Sequence, residues 1–311
     1  MNEAEQSYYV QLIRESSQAL EPLPVCLTPE WETLLPQKNK PVLEGIRAVL
    51  FDLYGTLFVS AAGEITAAHD SNHTNSAKLR GEKTSKEIPE TMKDYFLHAV
   101  QSRHEKARAA GIRCPEVRAE EIWAAYEGTI PAAWEPGKSA IVGNAGVSGV
   151  DGCELALRYE LANNPVYPMP HAETALRSLA AKGYTMGIIS NAQFYSPLLF
   201  NAFFNASPAG MGFDPDLLIY SFEEREAKPS PRLFTIARER LNLQGIKPEE
   251  TLYVGNDMRN DIVPAAEAGF KTALFAGDRR SLRLREDDPG CSGKKPTVII
   301  NDLRALEKTG T

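Results

Sequence analysis

Ile46-Arg47-Ala48-Val49-Leu50-Phe51-Asp52-Leu53-Tyr54-Gly55-Thr56-Leu57 is a short apolar run that ends on a carboxylate and then enters a tight turn. The run up to Phe51 reads as a buried strand. A carboxylate at a strand end, followed by Gly55 and Thr56, can face a ligand with its oxygen and with nearby amides. Such an aspartate is also a common turn former, so the stretch needs support from the rest of the chain.

That support begins after Pro170, where helix and strand patterns alternate. Residues 171–182 read as a helix, 184–190 as a strand, 197–204 as a helix, 217–221 as a strand and 231–241 as a helix. Strands follow at 251–254, 271–275 and 297–300, with a helix at 261–268. Alternation of this length predicts an α/β fold, a Rossmann-like doubly wound parallel sheet. Ligands in such sheets bind at the carboxyl ends of the strands, which directs attention to the residues there.

Three further strand ends carry polar chemistry. Ser190-Asn191 follows an apolar strand and can hydrogen-bond an oxyanion, although a Ser at that place also serves as a plain helix cap. In Lys228-Pro229-Ser230-Pro231 two prolines hold a lysine ahead of a helix, as a fixed point charge or as a surface lysine beside a helix start. Val254-Gly255-Asn256-Asp257-Met258-Arg259-Asn260-Asp261 places two carboxylates four residues apart after a strand, a pattern that can share a hard cation.

Taken together, in this order and spacing, the four stretches resemble the motifs of the haloacid dehalogenase superfamily: Asp52 and Thr56, then Ser190, then Lys228, then Asn256 to Asp261. The resemblance covers roughly residues 46–302. It implies an aspartyl-enzyme intermediate at Asp52, with Thr56, Ser190 and Lys228 binding the transferred group. It also implies a helical cap, inserted after the first motif, that shapes the pocket and excludes water. The domain reading is an extension over 1–45, a catalytic core over 46–59 and 165–311, and a helical cap over 60–164. Within the cap region, residues 60–87 are polar and loop-like. From Ile88 to about Asn163 the spacing of Met92, Tyr95, Phe96, Ala99 and Val100, and of Val117, Ile122, Trp123 and Tyr126, is helical, with a glycine-rich break over 143–152. Residues 4–20 have the spacing of an amphipathic helix that packs on the core, and a proline-rich link follows.

Two departures from the motifs bear on chemistry. Phosphatase members of the superfamily carry a second Asp two residues after the nucleophile; here that residue is Tyr54, as in the dehalogenases proper. The usual first acid after Gly255 is Asn256, a possible contributor, with Asp257 directly behind it. Asp52, Asp257 and Asp261 would repel one another in a partly dry pocket, and Lys228 offsets only one of them. A divalent cation is one remedy, so Mg²⁺ is the expected cofactor, on Asp52, Asp257, Asp261 and the backbone carbonyl of Tyr54. The reading is a Mg²⁺-dependent phosphatase-type hydrolase with catalytic residues Asp52, Tyr54, Thr56, Ser190, Asn191 and Lys228. The alternatives are a metal-independent 2-haloacid dehalogenase and a non-catalytic binding protein on the same fold. The dehalogenase would need an arginine cradle, for which the cap offers Arg80, Arg103, Arg108, Arg113 and Arg118.

Bulk composition excludes some partners. A net charge of −7 argues against a globally basic nucleic-acid binder. No apolar run approaches the roughly 18–20 residues of a membrane span. The segment Arg279–Arg285 has four arginines in seven residues and reads as a solvated surface stretch. The four scattered cysteines form no CxxC, consistent with reduced thiols. The expectation is a cytoplasmic enzyme for a small-molecule substrate, with no nucleic acid and no membrane as partner.

Overall fold

The computed structural model describes residues 1–36, 44–63, 88–131, 134 and 151–307. Residues 64–87 of the expected loop over 60–87, Arg80 among them, and most of the glycine-rich break lie outside the described residues.

The sheet has six parallel strands in the order β5-β4-β1-β6-β7-β8. They are β1 (Ala48–Phe51), β4 (Thr185–Ser190), β5 (Phe213–Tyr220), β6 (Thr251–Gly255), β7 (Lys271–Phe275) and β8 (Val298–Ile300). The α/β, doubly wound reading therefore describes the fold. β1 is buried at every position because β4 and β6 pair with it on either side, Phe51 lying opposite Ile188 and Val254. Chain order reverses at β1, so the crevice of the sheet opens where Asp52 leaves it.

Alternation along the strands sorts side chains between two faces. Val49 and Phe51 join Leu252, Val254, Ala273 and Phe275 on one face. There α6 (Ala172–Ala181) covers them with Ala172, Ala175, Leu176 and Leu179, one stripe of a helix. Ala48, Leu50 and Tyr253 point to the other face, under α9 (Arg232–Leu243) with Leu233, Phe234, Ala237 and Leu241. Each of the larger side chains stabilises the fold by about 1.5–3 kcal/mol through burial. β5 begins four residues earlier than the sequence suggests and contains Pro215 between two aspartates. It is an edge strand, where a missing N–H and exposed charge are tolerated.

A two-stranded antiparallel ribbon, β2 (Phe58–Ser60) with β3 (Val166–Pro168), stands at the stem of the stretch between them. That stretch holds α3 (Glu90–Ala109), α4 (Ala119–Trp123) and α5 (Gly152–Asn163), joined through stacked Phe96 and Trp123 and through Tyr159. The N-terminal α1 (Glu3–Ser16) buries Tyr9, Val10, Leu12 and Ile13. Its Arg14 donates to the carbonyls of Asn201 and Ala202 at the end of α7 (Leu198–Phe204). Residues 21–34 then cross the far side of the sheet, where Trp31 packs with Met258 and Ile262.

Residues 114–119 are stitched to the core beside the strand ends. Glu116 N–H donates to Arg225 O, Ala227 N–H donates to Cys114 O, and Ala119 N–H donates to the Gln193 side chain. The Glu116 side chain is buried, 2.7 Å from Ser221 Oγ, and burial pushes its carboxyl up to about 7. A carboxyl raised in the folded state is stable protonated. Its stabilising contribution is complete below the unfolded value near 4.5 and is lost as pH rises through about 7. Glu116→Gln keeps the shape without the charge. Denaturant unfolding should show the wild type losing about 3 kcal/mol more than the variant between pH 4.5 and pH 8. Equal losses in the two proteins would show that Glu116 does not titrate in this range.

Candidate active site

Asp52 follows β1 directly and is buried to 7% exposure. One of its oxygens, Oδ1, accepts from Ser190 Oγ and from Lys228 Nζ, both at 2.8 Å. No described donor takes Oδ2. Ser190 is the last residue of β4, the strand beside β1, so sheet register alone brings its hydroxyl to Asp52.

Lys228 reaches in from the segment between β5 and α9. Its backbone is clasped by Asn191, whose Oδ1 accepts from Lys228 N–H at 2.7 Å and whose Nδ2 donates to Lys228 O at 3.3 Å. The ammonium donates to Asp52, to Asp261 Oδ1 at 2.6 Å and to Tyr253 Oη at 3.2 Å. Burial alone would pull this amine down, but Asp261 and Asp52 outweigh it and hold it above its ordinary value. Burial pushes the Asp261 carboxyl up, and Lys228 beside it pulls it back. Its Oδ2 accepts the backbone N–H groups of Asn256 and Asp257 at 3.0 and 2.9 Å. An ammonium and two amides can only donate, so Asp261 is held as the carboxylate.

Asn256 lines the cleft, and Thr56 is fully buried against it. Thr56 Oγ1 donates to Asn256 Oδ1 at 3.1 Å, and Asn256 Nδ2 donates to Ser281 O at 2.7 Å. Tyr54 lines the cleft, but its hydroxyl is 2.8 Å from Ser196 Oγ. Burial, with Glu160 adding to it, pushes its phenol far above the ordinary value, so it stays protonated at neutral pH. A phenol in that state is a poor base and a weak acid.

Asp257 has a different partner from the one its spacing suggests. Its carboxylate caps the following π turn, Met258–Ile262, and is held by Arg285, whose Nη2 lies 2.6 Å from Oδ2. Arg283 lines the same small cleft of about 40 Å³ as Asp52, Asn191, Lys228, Asp257 and Asn260. The stretch 279–285, read from sequence as a solvated segment, thus sends two arginines into the site. It leaves the carboxyl end of β7, next to β6, and the strand-end rule that found the other motifs reaches this loop too. Tyr253 also escaped the sequence reading, because inside a strand it looks like core.

These contacts bear on the expected Mg²⁺. A divalent cation needs carboxylate oxygens with open lone pairs. Asp261 accepts four hydrogen bonds and Asp257 is filled by Arg285, Asn260 and two backbone amides. Asp52 alone keeps an open oxygen, and among the described residues no trio of His, Cys, Asp or Glu is arranged to hold a metal. The residues in this arrangement do not fit the ion. The repulsion that called for it is met otherwise, since Lys228, Arg283 and Arg285 face Asp52, Asp257 and Asp261.

A family model described as haloacid dehalogenase-like hydrolase matches residues 46–269, most of the chain. The chain belongs to that family. Among curated relatives of this hydrolase is the glyceraldehyde 3-phosphate phosphatase of Methanothermobacter thermautotrophicus, 32% identical over 45% of this chain and 58% of the relative. The phosphoglycolate phosphatase of Escherichia coli is 33% identical over 35% of this chain and 40% of its own. The chain thus matches about half the length of these relatives. Among solved structures, the L-2-haloacid dehalogenase of Xanthobacter autotrophicus has 18% identity and a TM-score of 0.42, covering 84% of this chain and 97% of the other. A phosphatase of the same family from Thermococcus onnurineus has 17% identity and a TM-score of 0.46, covering 84% and 96%. Among the described residues of the hydrolase, no helix is long and apolar enough to cross a membrane.

Removing the shared cation should expose how the site is held. Lys228→Met leaves Asp52 and Asp261 facing each other without compensation, which should cost about 3–5 kcal/mol at pH 8. Lowering the pH protonates the raised Asp261 carboxyl, so the variant should recover stability relative to wild type as pH falls. Thermal unfolding at pH 8 and pH 5 checks this; a deficit that does not shrink at low pH would contradict the pairing.

Proposed function

We propose that this hydrolase forms a covalent aspartyl-enzyme intermediate at Asp52 and transfers a phosphoryl group from a small phosphorylated molecule to water. The observation that carries the reading is the asymmetric Asp52 carboxylate: Ser190 and Lys228 hold Oδ1, and Oδ2 is left for attack. Fixing one oxygen orients the other and removes the entropy of finding the attack geometry. Lys228 stabilises charge as the leaving group departs, and Asn191 keeps Lys228 in place. The named relatives, a glyceraldehyde 3-phosphate phosphatase and a phosphoglycolate phosphatase, favour a small phosphorylated substrate. Residues 60–164 serve as a helical cap over the cleft, and residues 1–45 as an extension that braces the core. The site is that of a small-molecule enzyme with neither nucleic acid nor membrane as partner, acting in the cytoplasm.

One observation favours a second reading, a 2-haloacid dehalogenase. Tyr54 stands where a phosphatase carries its acid, with its hydroxyl spent on Ser196, and the carboxylates that would take Mg²⁺ are filled by protein donors. The two readings share Asp52 as the nucleophile and differ in substrate.

A panel of aryl, acyl and alkyl phosphates and 2-haloacids, assayed with Mg²⁺ and with chelator, separates them. The expected result is turnover of phosphates, faster for aryl and acyl leaving groups, which need no proton from Tyr54. Asp52→Asn should abolish that turnover and leave the melting temperature within a few degrees of wild type, since an amide cannot form the intermediate. Activity on haloacids alone selects the second reading, and an active Asp52→Asn variant rules out both.

A further inference from the structure

The loop after β7, which lends Arg283 to the cleft, and the segment 21–34 that braces this loop both lie outside the matched span 46–269. Arg279 N–H donates to Leu23 O, Leu23 N–H donates to the buried Asp278 carboxylate, and Arg280 Nη2 donates to Glu21 O at 2.6 Å. Trp31 Nε1 donates to Glu286 at 2.9 Å at the far end of the loop. On the site side, Arg283 N–H donates to Asn256 O and Met258 N–H donates to Arg283 O, so the loop is bonded to the fourth motif by its backbone. Two glycines let it come this close. Gly55 and Gly63 both have positive φ, and a Cβ on Gly55 would lie 2.4 Å from Ser281 Cβ. One on Gly63 would lie 2.6 Å from Arg280 O and from an Arg283 guanidinium nitrogen.

The two arginines held by this loop differ. Arg285 is paired with Asp257. Arg283 lines the cleft, its Nη1 donates to the carbonyls of Arg280 and Leu282, and no described carboxylate pairs with it. A guanidinium anchored on one edge, lining the same cleft as Asp52 and Lys228 and with no carboxylate partner among the described residues, is built to receive an anion.

We propose that Arg283 is a substrate-binding residue that takes an oxyanionic group of the substrate, a phosphate or a carboxylate, by charge-assisted hydrogen bonds. It sits on a loop that the N-terminal segment clamps in place, and it is not one of the cap arginines. The proposal rests on the reading of the Asp52 cleft as a hydrolase site, but its test does not need turnover. Lys228 is already shared between two carboxylates, so among the described residues of the cleft Arg283 is the cation without a carboxylate partner and the one to attract an incoming anion. With Arg283 counted, the fixed charges of the cleft sum to zero, and the anion enters without net repulsion.

The test is calorimetric titration of inorganic phosphate, and separately of acetate, into wild type, Arg283→Gln, Arg283→Lys and Asp52→Asn, all in chelator. Wild type should bind at least one of the two. Arg283→Gln should weaken that binding by about tenfold or more, as loss of a charged donor does, and Arg283→Lys by less. Asp52→Asn should bind as well as wild type or better. Loss confined to phosphate makes Arg283 a receptor for the transferred group, and loss confined to acetate makes it a receptor for a substrate carboxylate. Thermal melting of each variant shows that it is folded, and Arg283→Lys carries the comparison if the Gln variant is not. Equal affinity in wild type and Arg283→Gln for both anions, or no binding by wild type without a divalent cation, overturns the proposal. An Asp52→Asn protein that still turns over substrate would instead overturn the catalytic reading and leave this one standing.

Discussion

Lys228 Nζ sits between two buried carboxylates, 2.8 Å from Asp52 and 2.6 Å from Asp261, with 5% of the residue exposed. Each of the three charges would be costly alone at this depth, and together they hold one another ionised. The fold is organised to bring them there. β1 delivers Asp52, β4 delivers Ser190 beside it, and β6 ends in the turn whose amides grip Asp261. Asn191 then fixes the backbone of Lys228 across the crevice. Asp52 is oriented because its cation is shared with an aspartate gripped by two backbone amides.

Charge closure in the rest of the cleft follows the same logic. Asp257 would add a third negative group near Asp52 and Asp261, and Arg285 cancels it. Arg283 adds a positive group with no carboxylate of its own among the described residues. Both come from a loop braced by residues 21–34 at the other side of the chain, so the N-terminal extension contributes to the electrostatics of a cleft it does not touch.

What the sequence showed of this arrangement depended on periodicity and on strand ends. β1, β4, β6 and β7 were legible because apolar runs bounded by polar turns have few other readings, and Asp52, Ser190 and Lys228 stood out because each follows or precedes such a run. β5 was shortened in the reading because Pro215 and its flanking aspartates hide an edge strand. The β2–β3 ribbon was missed since three residues carry no period. The arginines at 279–285 look like any solvated basic stretch until the neighbouring strands are known, and Glu116 looks like an exposed acid until the core segment that covers it is in place. Side-chain partnership across 30 or 100 residues has no signature in a single chain, and the charge balance of the site is made of such partnerships. Three aspartates and one lysine leave two negative charges over, and in the folded protein Arg283 and Arg285 face them.

The proposed covalent intermediate on Asp52 is the most direct point at which to test the chemistry of this cleft. Rapid acid quench of the enzyme during turnover of an acyl phosphate, followed by mass measurement of the peptide that carries Asp52, examines it. The account predicts a transient adduct on that peptide, bearing the phosphoryl group, that forms and decays at rates compatible with turnover. Product formation with the Asp52 peptide unmodified at every time point would contradict it.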